Sequence, residues 1–192
     1  NHPFLLANQV GGNDDLLFDG RSIIAWPDGT VVIGPAWSQG VLLTDLSDPK
    51  ACTWIGEGEI RILKPDEDLE EDEGDLLDAI IIGLSDYCMK SGISKIVLGM
   101  SGGIDSALAA CVASAAVGAQ NVTGISMPSK HSSQHSIDDA KATAEALGLD
   151  FSIQPITDLH DASELALRGI LEGGHPVAGE NLQARLRGLI VM

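Results

Sequence analysis

The sequence predicts an α/β protein built on a parallel sheet, preceded by a sheet-rich segment of a different pattern. From residue 76 onward, apolar strand-like runs alternate with helix-length amphipathic runs, the signature of βαβ units wound on both faces of a sheet. Residues 1 to about 47 instead alternate short apolar runs with turn chemistry, and an acidic stretch separates the two patterns. A chain of 192 residues with 44% hydrophobic side chains can bury a sizeable core, which excludes disorder throughout.

The first part reads FLLANQV, VGGNDD, SIIAW, PDGT and VVIG in order. Trp26-Pro27-Asp28-Gly29-Thr30 between two β-rich runs predicts a hairpin, because Pro fixes φ at one turn position and Gly supplies a positive φ at another. From Lys64 to Asp75, KPDEDLEEDEGD holds eight carboxylates in twelve residues and reads as a linker. Then LLDAIIIGLSDYCMKSG predicts a helix over 76–92, KIVLG a buried strand over 95–99, and IDSALAACVASAAVGA an Ala-rich helix over 104–119. NVTGISM supplies a second strand, SIDDAKATAEALG a helix with Ser136 as N-cap and Gly148 as C-terminal αL residue, DFSIQPI a third strand, and LHDASELALRGILEGG a helix. The opening at Asn1 and the ending inside an apolar run, GLIVM, read as a fragment of a longer chain.

Twenty-eight acidic against eleven basic residues give a net charge of −17, which repels a phosphodiester backbone and argues against a nucleic-acid partner. No apolar run reaches the roughly 18 to 20 residues a membrane span needs, and no signal peptide is evident, so a soluble, cytoplasmic protein is expected. Cys52, Cys88 and Cys111 are odd in number and never form CxxC, so they read as buried or incidental thiols.

Chemistry concentrates in KIVLGMSGGIDSAL, residues 95–108. A strand runs into Ser101-Gly102-Gly103 and a helix starts near Ile104, so free amides and the positive helix end converge on one point, a phosphate cradle. Neither GxxxxGK[ST] nor GxGxxG is present. Asp105 is placed to hold Mg²⁺ against pyrophosphate oxygens, and Ser101 and Ser106 add hydroxyls.

SGGIDS resembles the SGGxDS pyrophosphate loop of the ATP pyrophosphatases, a group that includes GMP synthetase, asparagine synthetase, tRNA-thiolating enzymes and NAD synthetase. MPSKHSSQHSIDDA resembles the ATP-binding MPSRYSS stretch of NAD synthetases, with Lys130 in place of a commoner arginine. ENLQARLRG, Glu180 to Gly188, resembles their ENxQARxR segment, and ANQVGGNDDLLFDGRS resembles the late part of the nitrilase-like glutaminase domain fused in front of glutamine-dependent NAD synthetases. The chain is therefore similar to that family over nearly its whole length, most weakly over Val41 to Asp75.

The resemblance implies the C-terminal part of a nitrilase-like α/β sandwich over 1–63 and the acidic linker over 64–75. Over 76–192 it implies the first part of a doubly wound, adenine-nucleotide α-hydrolase-like (PP-loop) domain. It implies that Gly99, Met100, Ser101, Gly102, Gly103, Ile104, Asp105, Ser106, Ser132 and Ser133 bind ATP, that Asp105 binds Mg²⁺, and that Asn181 and Arg185 bind deamido-NAD. The implied reaction is ATP-dependent amidation of deamido-NAD to NAD through an adenylate, with ammonia from glutamine, in a homo-oligomer. The family's Glu, Lys and Cys triad lies upstream of the NQVGG segment and outside these residues, Cys52 follows that segment and is not its nucleophile, and later synthetase residues would follow Met192. The 192 residues alone are thus expected to be inactive. Phe18, Asp19, Gly20 and Ser22 either shape the glutamine pocket or form a buried strand edge.

Two readings compete: a noncatalytic ATP-binding module, and a tRNA-modifying relative, against which the acidity and the absent CxxC weigh. His131 and His135 are spaced for a metal pair but read better as polar loop residues, and His160 reads as a solvated or capping residue at a helix start. Arg185 and Arg187, two apart, point to different faces of one helix, so one can bind an anion while the other pairs with an acid such as Glu180.

Overall fold

The computed structural model describes residues 2–65, 67, 73–130, 132–171 and 177–192. Half of the acidic linker and His131 lie outside these residues. The chain divides into two compact units, Asn1–Ser91 and Gly92–Met192.

The first unit is antiparallel. Strands β1 (Phe4–Leu6), β4 (Ile23–Ala25), β5 (Val31–Ile33) and β8 (Arg61–Leu63) form one sheet in the order β1-β4-β5-β8. β2 (Val10–Asn13) with β3 (Leu16–Asp19), and β6 (Gly40–Asp45) with β7 (Asp48–Gly56), form two hairpins. The predicted turn between β4 and β5 is present: the Trp26 amide donates to Thr30 O at 2.9 Å, and Gly29 has φ +89°. Ile24, Trp26 and Val32 alternate inward from these strands and form the unit's core with Leu42, Cys52 and Ile60.

Helix α1 (Glu73–Lys90) belongs to this unit and packs on β2. The glycine pair of the VGG segment makes that contact possible, since a Cβ on Gly11 would fall 2.4 Å from Asp86 Oδ2. The Gly12 amide donates to the same carboxylate at 2.8 Å, and Lys90 Nζ donates to Gly12 O. At the other end of the helix, Asp75 accepts from Arg21, which also pairs with Asp19 at 2.9 Å, and the Arg21 hydrogen bond holds the Asp75 carboxyl below its ordinary pKa.

The second unit is parallel. Strands β9 (Ile96–Gly99), β10 (Val122–Ser126) and β11 (Asp150–Ile153) pair in the order β11-β10-β9, with Gly124 opposite Leu98 and Phe151. Between and after them run α2 (Ile104–Val117), α3 (Gln134–Leu147), α4 (Thr157–Leu171) and α5 (Val177–Val191). Small side chains let the helices close on one another: Ala110 of α2 meets Ala140 and Ala144 of α3 around Met100, with Leu98, Leu147, Leu149 and Phe151 at the margin.

Gly148 takes the αL conformation that ends α3, at φ +70° and ψ 31°. The N-cap differs from the sequence expectation. Ser133, not Ser136, caps α3, and its Oγ accepts from the Ser136 amide at 3.1 Å. Three serines of equal cap propensity, Ser132, Ser133 and Ser136, crowd this start, and only the chain's path onto the helix selects among them. His160 is a second correction: it sits inside α4 and is 3% exposed, one helical turn after the fully buried Ile156, whose carbonyl accepts from its amide at 2.8 Å, so its side chain shares the inward face. No helix among the described residues is long and apolar enough to cross a membrane.

Candidate functional site

Strand β9 ends at Gly99, and Met100 is buried with its amide bonded to Ile125 O of the neighbouring strand at 2.8 Å. The chain then leaves the sheet through Ser101, Gly102 and Gly103 and enters α2 at Ile104. Gly102 has φ +82°, and a Cβ there would lie 2.2 Å from the carbonyl oxygen of Ser136, which is backbone and cannot move aside. This glycine is therefore required both by conformation and by the close approach of the first turn of α3.

Two serines brace the turn. Ser106 Oγ donates to Gly103 O at 2.9 Å and lies 3.2 Å from Ser101 Oγ, while the Ser101 amide donates to Ser106 Oγ and the Gly103 amide to Ser101 Oγ. The first helical bond of α2 runs from the Ala107 amide to Gly103 O. The amides of Ile104, Asp105 and Ser106 consequently have no carbonyl partner in the helix, as the first turn of any helix dictates. They form the positive end of the α2 dipole, a setting that attracts anions. Asp105 is exposed in this turn, and its carboxylate makes no hydrogen bond or ion pair among the described residues.

Beside the loop lies a pocket of about 570 Å³ at the C-terminal ends of β9 and β10. That position, outside the carboxyl ends of parallel strands, is where α/β sheets bind ligands. Of the expected nucleotide residues, Gly99, Met100, Ser101 and Ser132 line it. Gly102, Gly103, Ile104, Asp105 and Ser106 build the adjacent loop and first turn, and Ser133 caps α3 with its hydroxyl 2.9 Å from Ser136 Oγ. Ser132 contributes a second brace by accepting from the Ser129 amide at 3.0 Å.

Asn181 and Arg185 lie on α5 as expected, but both are exposed and neither lines this pocket. Arg187 does line it, with Ala184 and Gly188 from the same helix. Its Nε donates to Met127 O at 3.3 Å and its Nη2 to Gln183 Oε1 at 3.4 Å, tying α5 to the loop after β10. Among the described lining residues it is the one charged side chain. The two-residue spacing of the arginines placed them on different faces, and the structure decides which face meets the pocket. A signal was available: Arg187 shares a helical face with Ala184 and Gly188, small residues that permit close approach.

In the first unit, Gly20 and Ser22 line a cavity of about 200 Å³ with Asn8, Gln9, Arg21 and Trp54. Phe18 and Asp19 are not among its lining residues. Cys52 Sγ lies 3.0 Å from Thr44 Oγ1, Cys88 is buried and Cys111 is exposed. His135 is exposed on α3 with Nδ1 3.0 Å from Asp139 Oδ2.

The NAD synthase family model matches residues 76–192, which include the loop, the pocket and all of α5. This chain belongs to the NAD synthase family. Its similarity extends beyond the matched residues: it is 44% identical to a glutamine-dependent NAD(+) synthetase of Rhodobacter capsulatus over 99% of its own length and 34% of that protein's. It is 39% identical to the protein of the same description from Synechocystis, over 100% of this chain and 34% of the relative. The solved glutamine-dependent NAD+ synthetase of Acinetobacter baumannii, in complex with ADP, superposes with a TM-score of 0.79 at 29% identity, covering 99% of this chain and 35% of that one. The chain thus spans about a third of the length of the curated relatives it matches.

Proposed function

We propose that the protein carrying this chain makes NAD from deamido-NAD, ATP and ammonia derived from glutamine. The observation that supports this most is the braced Ser101–Ser106 turn at the mouth of a pocket formed at the carboxyl ends of parallel strands. The similarity of both units to glutamine-dependent relatives supports the glutamine half of the reading. In this account residues 1–63 are the C-terminal part of a nitrilase-like glutaminase sandwich, 64–75 a linker, and 76–192 the first part of a PP-loop synthetase domain. The protein is proposed to work in the cytoplasm as a homo-oligomer.

The nicotinate carboxylate attacks the α-phosphate of ATP, the bond to the β,γ-pyrophosphate breaks, and an adenylate forms. Ammonia then displaces AMP and leaves the amide. Charge accumulates on the departing pyrophosphate, so the useful groups are fixed donors that need no rearrangement: the amides of residues 104–106 and the Ser101 and Ser106 hydroxyls. Asp105, exposed and without a protein partner among the described residues, suits Mg²⁺, which takes one or two carboxylates and completes its shell with phosphate oxygens and water. When bound there, Mg²⁺ would neutralise developing pyrophosphate charge. Arg187 supplies the pocket's positive charge in an otherwise strongly acidic protein, and its bond to Met127 O keeps the loop after β10 against the nucleotide. Asn181 and Arg185 remain on the exposed side of α5, suited to the second substrate, deamido-NAD.

The test is Asp105→Asn in the natural protein. NAD formation should be lost while glutamine hydrolysis continues, and full retention of NAD formation would refute the assignment.

A further inference from the structure

We propose that His160, Asp161 and Glu164 form a binding site for a transition-metal dication of the zinc class, one that competes with the ammonium of Lys130. The site stands on the geometry of α4 and holds whether or not the nucleotide reading does.

The His160 side chain is 4% exposed, and its Nε2 is buried without a hydrogen-bond partner among the described residues. Burying a polar nitrogen without a partner forfeits its hydration and returns nothing, so such groups point to a missing occupant. Nε2 faces Glu164 Oε1 at 3.7 Å, one turn further along α4, and Nδ1 lies 3.9 Å from Asp161 Oδ1. These separations are too long for hydrogen bonds. The first is close to what two ligands of one tetrahedral ion show, since metal–ligand bonds of about 2.0–2.1 Å put neighbouring ligand atoms roughly 3.3 Å apart. One ligand atom from each of the three residues lies within 4.8 Å of the others. One imidazole and two carboxylates suit zinc, cobalt or nickel better than magnesium or calcium, which favour oxygen alone.

The two carboxylates already attract a cation. Lys130 Nζ stands 3.5 Å from Asp161 Oδ1 and 3.5 Å from Glu164 Oε2, with all three side chains 44–57% exposed. An ion pair this exposed and this long is weak, and it leaves Nε2 of His160 unused. A dication would satisfy all three residues and release Lys130, which sits in the loop between β10 and α3.

Cobalt(II) added to the metal-free natural protein at pH 7.5 reads this out through its visible ligand-field bands, with zinc(II) as competitor. Saturable 1:1 binding is expected, giving bands of tetrahedral intensity. Glu164→Gln, a change at a partly exposed position that spares the fold, should weaken it by more than the roughly tenfold that losing even an outer-shell partner costs. His160→Asn should do the same. Lys130→Ala should tighten binding several-fold, a result that no merely structural histidine would produce. Absence of saturable binding, or binding indifferent to both Glu164→Gln and Lys130→Ala, would overturn the proposal.

Discussion

Replacing Gly102 by alanine tests the loop geometry on which the site depends, and Gly148→Ala provides its internal control. Both residues have positive φ, +82° and +70°, so each alanine carries the conformational cost of about 1–2 kcal/mol for a Cβ in the left-handed region. They differ in surroundings. A Cβ on Gly148 meets nothing within 4 Å, whereas one on Gly102 falls 2.2 Å from Ser136 O and 2.9 Å from Ser136 C and Cα. Relieving that overlap requires the turn and the start of α3 to separate, an overpacking cost of about 1–3 kcal/mol. Gly102→Ala should therefore destabilise by about 2–5 kcal/mol in all and Gly148→Ala by about 1–2 kcal/mol. Urea unfolding followed by circular dichroism measures both, and isothermal titration with ADP adds a second axis. Gly102→Ala should also weaken ADP binding, because the loop moves, while Gly148→Ala should leave it unchanged. Equal destabilisation by the two substitutions would refute the claimed backbone contact.

Ser133→Ala removes the hydroxyl that caps α3 and should cost about 1 kcal/mol in thermal unfolding, whereas Ser136→Ala, which deletes no cap acceptor, should cost less. Arg187→Ala should weaken ADP binding more than Arg185→Ala, and Arg187→Lys should restore only part of the loss, since an ammonium cannot serve Met127 O and an anion in the fork geometry of a guanidinium. A hydrogen bond with its own backbone, then the Asp139 carboxylate, raise the His135 pKa above the ordinary histidine value. The folded-state pKa being the higher one, this small stabilisation is present below the unfolded value and fades as pH rises through the folded one. Titration of the His135 ring by NMR should show the raised value, and Asp139→Asn should lower it.

Much of the second unit was legible because strand, loop and helix follow one another within fourteen residues, 95–108, and local chemistry decides each step. The glycine-bearing turn after Trp26 was readable for the same reason. What escaped depends on contacts between distant segments. Nothing local to VGG reveals that Asp86 of α1 sits on Gly11 and Gly12, seventy-four residues away for the Gly12 bond. The burial of His160 is equally hidden, since its neighbours Asp161 and Glu164 give α4 a polar sequence exactly where one imidazole turns inward. The choice of Arg187 over Arg185 for the pocket required knowing which face of α5 meets β9.

The most direct test of the central claim is the nucleotide product formed when the natural protein is given ATP, Mg²⁺, deamido-NAD and ammonia. AMP and pyrophosphate are expected in equal amounts with NAD, since the bond cleaved lies between the α and β phosphates. ADP and phosphate as products, or NAD made without ATP cleavage, would contradict it.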